Sequence, residues 1–228
     1  MKEEIKIVAM SDTHGHHRKV TVPEGDVLVF AGDFMTCGRR YSEVIDFGQW
    51  FSEQPHKHKI LVAGNHDRLM ESQLNKCLSE FHGVTYLQDS GCEIKGWKFW
   101  GSPWQPWFYN WAFNVNRGPD IMKYWNKIPM DTDVLVTHGP PYGIGDLTAP
   151  MYGSEHVGCS DLLNRLREVN PALSIFGHIH NGRGLYPPDY SDPHQVKRIT
   201  HCINASICDE EYEPVGSPYT WEWYPEGK

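Results

Sequence analysis

Five short runs of apolar, mostly β-branched residues recur along the chain: IKIVAM (5–10), DVLVFA (26–31), KILVA (59–63), DVLVT (133–137) and LSIF (173–176). None alternates polar with apolar residues, so each has to be covered on both faces, as strands are in a sheet flanked by helices. Amphipathic patterns of helical period lie between them. SEVIDFGQWF from Ser42 places Val44, Ile45, Gly48 and Phe51 on one side, and RLMESQLNKCLSEFHG groups Met70, Leu74, Cys77, Leu78 and Phe81 before stopping at Gly83. SDLLNRLREVNP offers Ser160 as an N-cap, the stripe Leu162, Leu163, Leu166 and Val169, and Pro171 as terminator. This alternation predicts an α/β core. Shorter runs around TYLQ, CEIKG and WKFWG (85–101) and at 198–204 read as antiparallel additions, so a second sheet is expected.

Composition narrows what such a core could do. The 228 residues show no internal repeat and no linker-like break, which predicts a single domain over 1–228. No apolar run approaches the ~20 residues needed to span a bilayer, and the first run is too short for a signal segment. A cytoplasmic protein is therefore expected, its six cysteines reduced core thiols without framework spacing. The net charge of −8 argues against an extended nucleic-acid footprint, and the small basic clusters at His16–Lys19, Arg39–Arg40 and His56–Lys59 read as solvated faces. Nothing in the sequence decides between a monomer and a homodimer.

The ends of the five runs carry the chemistry. The first leads into SDTHGH with Asp12 and His14, the second into AGDF with Asp33, and the third into AGNHD with Asn65, His66 and Asp67. The fourth leads into THGPP with His138, and the fifth into FGHIHNG with His178 and His180. Ligands of open α/β sheets gather beyond the carboxyl ends of strands, so these distant segments are expected to converge. An i, i+2 pair such as Asp12/His14 or His178/His180 leaves an extended chain on one side. Two carboxylates, one amide and four imidazoles make a thiolate-free O/N set suited to Mn, Fe, Zn or Co. Seven ligands exceed one tetrahedral ion and match two ions sharing a carboxylate, the arrangement that clamps both oxygens of a phosphoryl transfer. Any one of these pairs alone would be read as a surface or turn feature; five behind five strands is a pattern.

The ordered series Asp12-x-His14, Gly32-Asp33, Gly64-Asn65-His66-Asp67, Thr137-His138 and Gly177-His178-x-His180 resembles the calcineurin-like metallophosphoesterases, over residues 5–180. GDFMTCG, GSPWQPWFYNWAFNVNRG, THGPPYG, GCSDLLNRL, FGHIHNGRG and INASICDEEYEPV are similar to the metallophosphoesterase-domain-containing branch. One departure from the common second motif is Thr36, where a trailing acid often stands. The resemblance implies two mixed β-sheets packed as a sandwich flanked by helices. It implies one divalent ion on Asp12, His14, Asp33 and His180, another on Asp33, Asn65, His138 and His178, and a water bridging them with Asp33. Mn2+ is the first choice, with Fe, Zn or Co as alternatives. His66 would touch the phosphate and protonate the leaving oxygen, with Asp67 orienting its ring. A water between two dications loses a proton near neutrality, and a near-neutral imidazole is suited to protonate an alkoxide.

The expected activity is hydrolysis of small phosphodiesters, with cyclic nucleotides leading through the branch resemblance. A phosphomonoesterase, a short-strand nuclease and a catalytically quiet metal-binding scaffold are the alternatives. Asn65, His66 and Arg117 are the candidate substrate contacts, and Arg183 a weaker one. The aromatic stretch Trp97–Phe113 reads as core filling or a subunit contact as a whole, with one or two rings lining a cleft.

Overall fold

The computed structural model describes residues 1–188 and 200–224. Its first sheet is built from β1 (Ile5–Met10), β2 (Val27–Ala31), β3 (His58–Val62) and β4 (Thr85–Tyr86), all parallel, with β13 (Tyr219–Trp223) antiparallel on the free edge of β1. The second sheet contains β5 (Ser90–Ile94), β6 (Trp97–Ser102), β9 (Val134–Thr137), β10 (Leu173–Phe176), β11 (Gly184–Tyr186) and β12 (His201–Asn204), in the order β11-β12-β10-β9-β6-β5. Within it β6, β9, β10 and β12 run parallel, while β5 and β11 are antiparallel edges. A two-stranded ribbon, β7 (Gln105–Pro106) with β8 (Asn114–Val115), stands apart.

The two-residue period of a strand explains why the predicted runs are continuously apolar. In β1 and β2, Ile5, Ile7, Ala9, Val27, Val29 and Ala31 face the second sheet, meeting Phe99, Val134, Val136, Leu173 and Ile175. Their alternates Val8, Met10, Leu28 and Phe30 face α1 (Tyr41–Ser52) and the short helices α2 (Arg68–Ser72) and α3 (Leu74–Leu78). Across the sandwich, Leu135, Phe176 and Cys202 pack under α4 (Pro119–Trp125) and α5 (Ser160–Val169). The order is helix, sheet, sheet, helix, with two mixed sheets as the resemblance implied.

Several local expectations need correction. Ile45 is 44% exposed, because the buried stripe of α1 is Val44, Phe47, Gly48 and Phe51, and Ile45 lies a third of a turn off it. The pattern from Arg68 is two helices, since Gln73 leaves the helical region at φ −139°, ψ 41°; Met70, Cys77 and Phe81 still reach one cluster. The N-cap of α5 is Cys159, whose Sγ accepts the Leu162 N–H at 3.4 Å, one residue before the expected Ser160. The runs at 85–86 and 201–204 pair parallel, not antiparallel, with β3 and β10. For β4 the preceding α2 and α3 supply the crossover that a parallel neighbour requires. Residues 198 and 199 of that last run lie outside the described residues. β13 was not anticipated. No described helix is long and apolar enough to cross a membrane.

Candidate metal centre

The carboxyl ends of β1, β2, β3, β9 and β10 open onto one place at the seam between the sheets. There Ser11 after β1 forms a bridge with Ser206 after β12. The exits are sharply bent. Asp12, His14, Asp33 and His178 all take positive φ, at 51°, 42°, 61° and 70°, which costs side-chain-bearing residues about 1–3 kcal/mol each. Their neighbours leave no room for a side chain: a Cβ on Gly177 would overlap the Asp12 carboxylate, and one on Gly64 would overlap that of Asp33.

Each ligand is held by something behind it. The Asp12 carboxylate accepts the Ser11 hydroxyl at 2.5 Å and the His178 N–H at 3.0 Å, with the Ser206 hydroxyl 3.0 Å away. Asp33 Oδ1 accepts the His66 N–H at 2.7 Å. Three imidazoles have Nδ1 on a backbone carbonyl: His14 on Met35 at 3.3 Å, His138 on Ala31 at 2.9 Å and His180 on Asp209 at 2.6 Å. Donating at Nδ1 turns the Nε2 lone pair inward, the arrangement that orients a metal-binding histidine.

The inward atoms converge. The ligating atoms of Asp12, His14 and His180 lie within 4.8 Å of one another, as do those of Asp33, His138 and His178, and those of His14, Asp33 and His66. Asp33 therefore stands between the two histidine groups. Nε2 of His14 faces Nε2 of His180 at 3.2 Å, and Nε2 of His138 lies 2.8 Å from Asn65 Oδ1 and 3.3 Å from Asp33 Oδ2. Lone pairs at such distances repel unless a proton or a cation lies between them. Burial alone would raise the Asp12 and Asp33 carboxyls, but the surrounding imidazoles hold both below the usual carboxylate range. Burial opposes charge on His138 and His180 as well, but Asp33 and Asp12 beside His138, and Asp12 beside His180, win and push each imidazole up to about 9. His14 and His178 yield to burial and fall to about 4 and about 3. The charge balance thus calls for positive charge among these groups, and the thiolate-free donor set fits first-row divalent ions.

The remaining predicted residues divide. His66 is buried at the rim, its Nδ1 bonded to the Thr36 carbonyl, its ring edge-on to His14 at 4.6 Å and stacked on Trp111 at 4.1 Å and 19°. Asp67 does not hold the His66 ring. Its Oδ2 accepts the N–H groups of Asp33 (2.9 Å) and Gly64 (2.7 Å), and its Oδ1 that of Met35 (3.0 Å). It fastens the backbone of two motifs to each other. Arg117, an expected substrate contact, donates to the carbonyls of Gly158 (2.8 Å) and Val157 (2.7 Å). Arg183 is likewise engaged, donating to the Ser206 and Ser217 carbonyls with Tyr219 beneath it.

Three further contributors lie in the INASICDEEYEPV segment, which the sequence offered only as a resemblance and without a role. Tyr212, also at positive φ (62°), places its ring 4.7 Å from that of His14 and 5.5 Å from that of His180. Ser206 and Asn204 support Asp12 from β12 and its exit. The aromatic stretch splits: Trp97, Phe99 and Phe113 are buried, Trp107, Phe108 and Tyr109 are exposed, and Trp111 borders the site.

Comparison with known proteins agrees with this geometry. The family model for calcineurin-like phosphoesterases matches residues 5–182. Metallophosphoesterase domain-containing protein 1 of Homo sapiens is 37% identical over 237 residues, covering 93% of this chain and 69% of its own. UPF0046 protein K07C11.7 of Caenorhabditis elegans is 40% identical over 220 residues, covering 90% and 71%. Among solved structures, TT1561 of Thermus thermophilus superposes at a TM-score of 0.53 with 12% identity, covering 88% of each chain, a likeness of fold alone. With a matching model that spans most of its length and relatives above one-third identity, the chain belongs to the calcineurin-like phosphoesterases, a dimetal-dependent family of phosphoester hydrolases.

Proposed function

We propose that the chain hydrolyses small phosphodiesters, cyclic nucleotides foremost, with two divalent ions, Mn2+ the first choice. Asp12, His14, Asp33 and His180 would hold one ion, and Asp33, Asn65, His138 and His178 the other. The observation that carries this reading is the convergence of four imidazoles on the Asp12 and Asp33 carboxylates, three of them, His14, His138 and His180, with Nδ1 on a backbone carbonyl. When bound, the ions supply Lewis acidity toward phosphoryl oxygens and bring the pKa of water toward neutrality.

The residues of the chain do the rest. His66, with Nδ1 on the Thr36 carbonyl, presents Nε2 to the site and delivers a proton from it to the departing oxygen. His66 and Asn65 also contact the phosphate. Asp67 keeps the Asp33 and Gly64 turns in register and so fixes the Asp33 carboxylate, which would serve both ions. The burial of Asp12, Asp33 and His138 excludes water from behind the ligands and strengthens their interaction with positive charge.

A panel of bis-p-nitrophenyl phosphate, 2′,3′- and 3′,5′-cyclic nucleotides, dinucleotides and monoesters, run on Mn2+-reconstituted protein, tests this. Diester turnover that vanishes in Asp33→Asn and His178→Ala is the expected result. Preference for monoesters would replace the diesterase reading, and a flat baseline under every metal would indicate a scaffold.

A further inference from the structure

His66 carries the proton in the reading above, and its orientation needs a cause. The expected carboxylate does not supply it: Asp67 is spent on three amides, and Thr36 stands where an acid often does. What meets the ring edge is the neutral Thr36 carbonyl. That carbonyl is itself held, because the Thr36 N–H and hydroxyl both bind Glu43, at 3.1 and 2.6 Å. One hydrogen bond fixes the Nδ1 end of an imidazole and still lets the ring tilt about that bond. Removing the tilt takes contact with a face.

Trp111 makes that contact, nearly parallel to the imidazole at 4.1 Å. The Arg68 guanidinium also lies over this indole, 4.5 Å from its centroid. The loop bearing it is tied to the segment it serves: Arg68 donates to the Asn110 carbonyl at 2.7 Å, and the Ala112 N–H donates to the Asn65 carbonyl at 3.2 Å. Imidazole and guanidinium both pack on the indole, and its loop is tied on either side of Trp111 to the Asn65–Arg68 turn.

We infer that Trp111 is a positioning residue for His66, replacing by stacking the fixation that a carboxylate on the ring would provide. The inference rests on His66 being the proton donor. Misplacing a donor by a fraction of an ångström to one ångström costs roughly 10- to 100-fold where the proton matters and little where the leaving group departs unaided.

The experiment compares Mn2+-loaded wild type, Trp111→Ala, Trp111→Phe, His66→Ala and the double variant. The substrates are phosphodiesters whose leaving groups run from p-nitrophenol to simple alcohols. Trp111→Ala should lose roughly 10- to 100-fold in kcat on alcohol esters, less than about threefold on bis-p-nitrophenyl phosphate, and be rescued by Trp111→Phe. On His66→Ala, removing Trp111 should cost less than about threefold more. In the metal-free protein, the His66 ring protons should carry an upfield ring-current shift that Trp111→Ala abolishes. Uniform loss across the series, full additivity in the double variant, or an absent ring-current shift would each overturn the inference. If His66→Ala itself shows no leaving-group dependence, the donor role falls first and this inference with it.

Discussion

Replacing Asp67 by Asn separates two jobs for the same carboxylate. Its three amide donors are arranged unequally: Asp33 and Gly64 share Oδ2, and Met35 has Oδ1 alone. An Asn side chain does least harm with its NH2 toward Met35, which keeps two bonds and sets donor against donor at the third. Losing one bond to a charged acceptor costs about 1.5–3 kcal/mol, and making the other two neutral costs about 1 kcal/mol each. Against this, burial and the adjacent Asp33 carboxylate push the Asp67 carboxyl well up, so removing its charge gives some relief. The net expectation is a loss of about 2–4 kcal/mol, or about 5–15 °C in Tm for a chain of this size. Urea and thermal melts of the metal-depleted protein measure it, and the leaving-group series supplies the contrast. Asp67→Asn should be less stable and bind metal less well, while its dependence on leaving group stays that of wild type. A variant of unchanged stability that loses activity selectively on alcohol esters would refute the reasoning and return the carboxylate to the His66 ring.

Two more tests follow from buried groups. Gly64→Ala sets a methyl against Asp33 and 2.7 Å from His138 Cε1, so Mn2+ affinity should fall roughly 10- to 100-fold by titration calorimetry; wild-type affinity would show that the turn yields. His17 packs against Phe47 and Trp50, and burial lowers its pKa from 6.5 to about 4 despite Asp46. Because the folded pKa lies below the unfolded one, the unfolded chain binds more protons between those values, and stability falls as pH drops through 6.5. Between pH 7 and pH 5 the loss is about 2 kcal/mol. His17→Phe should show correspondingly less acid sensitivity in urea melts, and identical pH dependence would refute this assignment.

The strands and their exits were legible because both signals are strong in residue type: a run apolar on both faces, then metal-ligand chemistry. Seven side chains, Asp12, His14, Asp33, Asn65, His138, His178 and His180, were named from that pattern and meet at the seam. What was illegible is mostly backbone. The carbonyls of Met35, Ala31, Asp209 and Thr36 orient four imidazoles, and a carbonyl leaves no mark in residue type. Positive φ at Asp12, His14, Asp33 and His178 is hidden for the same reason; only the adjoining glycines hinted at tight turns. The partners of Asp67 and Arg117 were illegible for another reason. An acid beside a histidine and an arginine near a motif suggest chemistry, but turns and loops also need charged side chains to satisfy their amides and carbonyls. Parallel pairing of the short strands depended on crossover geometry, which two- to four-residue runs do not encode.

The candidate ligand set is divided between the sheets. Asp12, His14, Asp33 and Asn65 leave the first, and His138, His178 and His180 leave the second. Elsewhere the two layers meet through apolar side chains, a contact that resists separation but is tolerant of sliding. Ions held across the boundary would act as rivets, with bond lengths that tolerate no slip. A force that shears one layer past the other would then be felt first at these side chains, and loading the ions would lock the register of the two sheets.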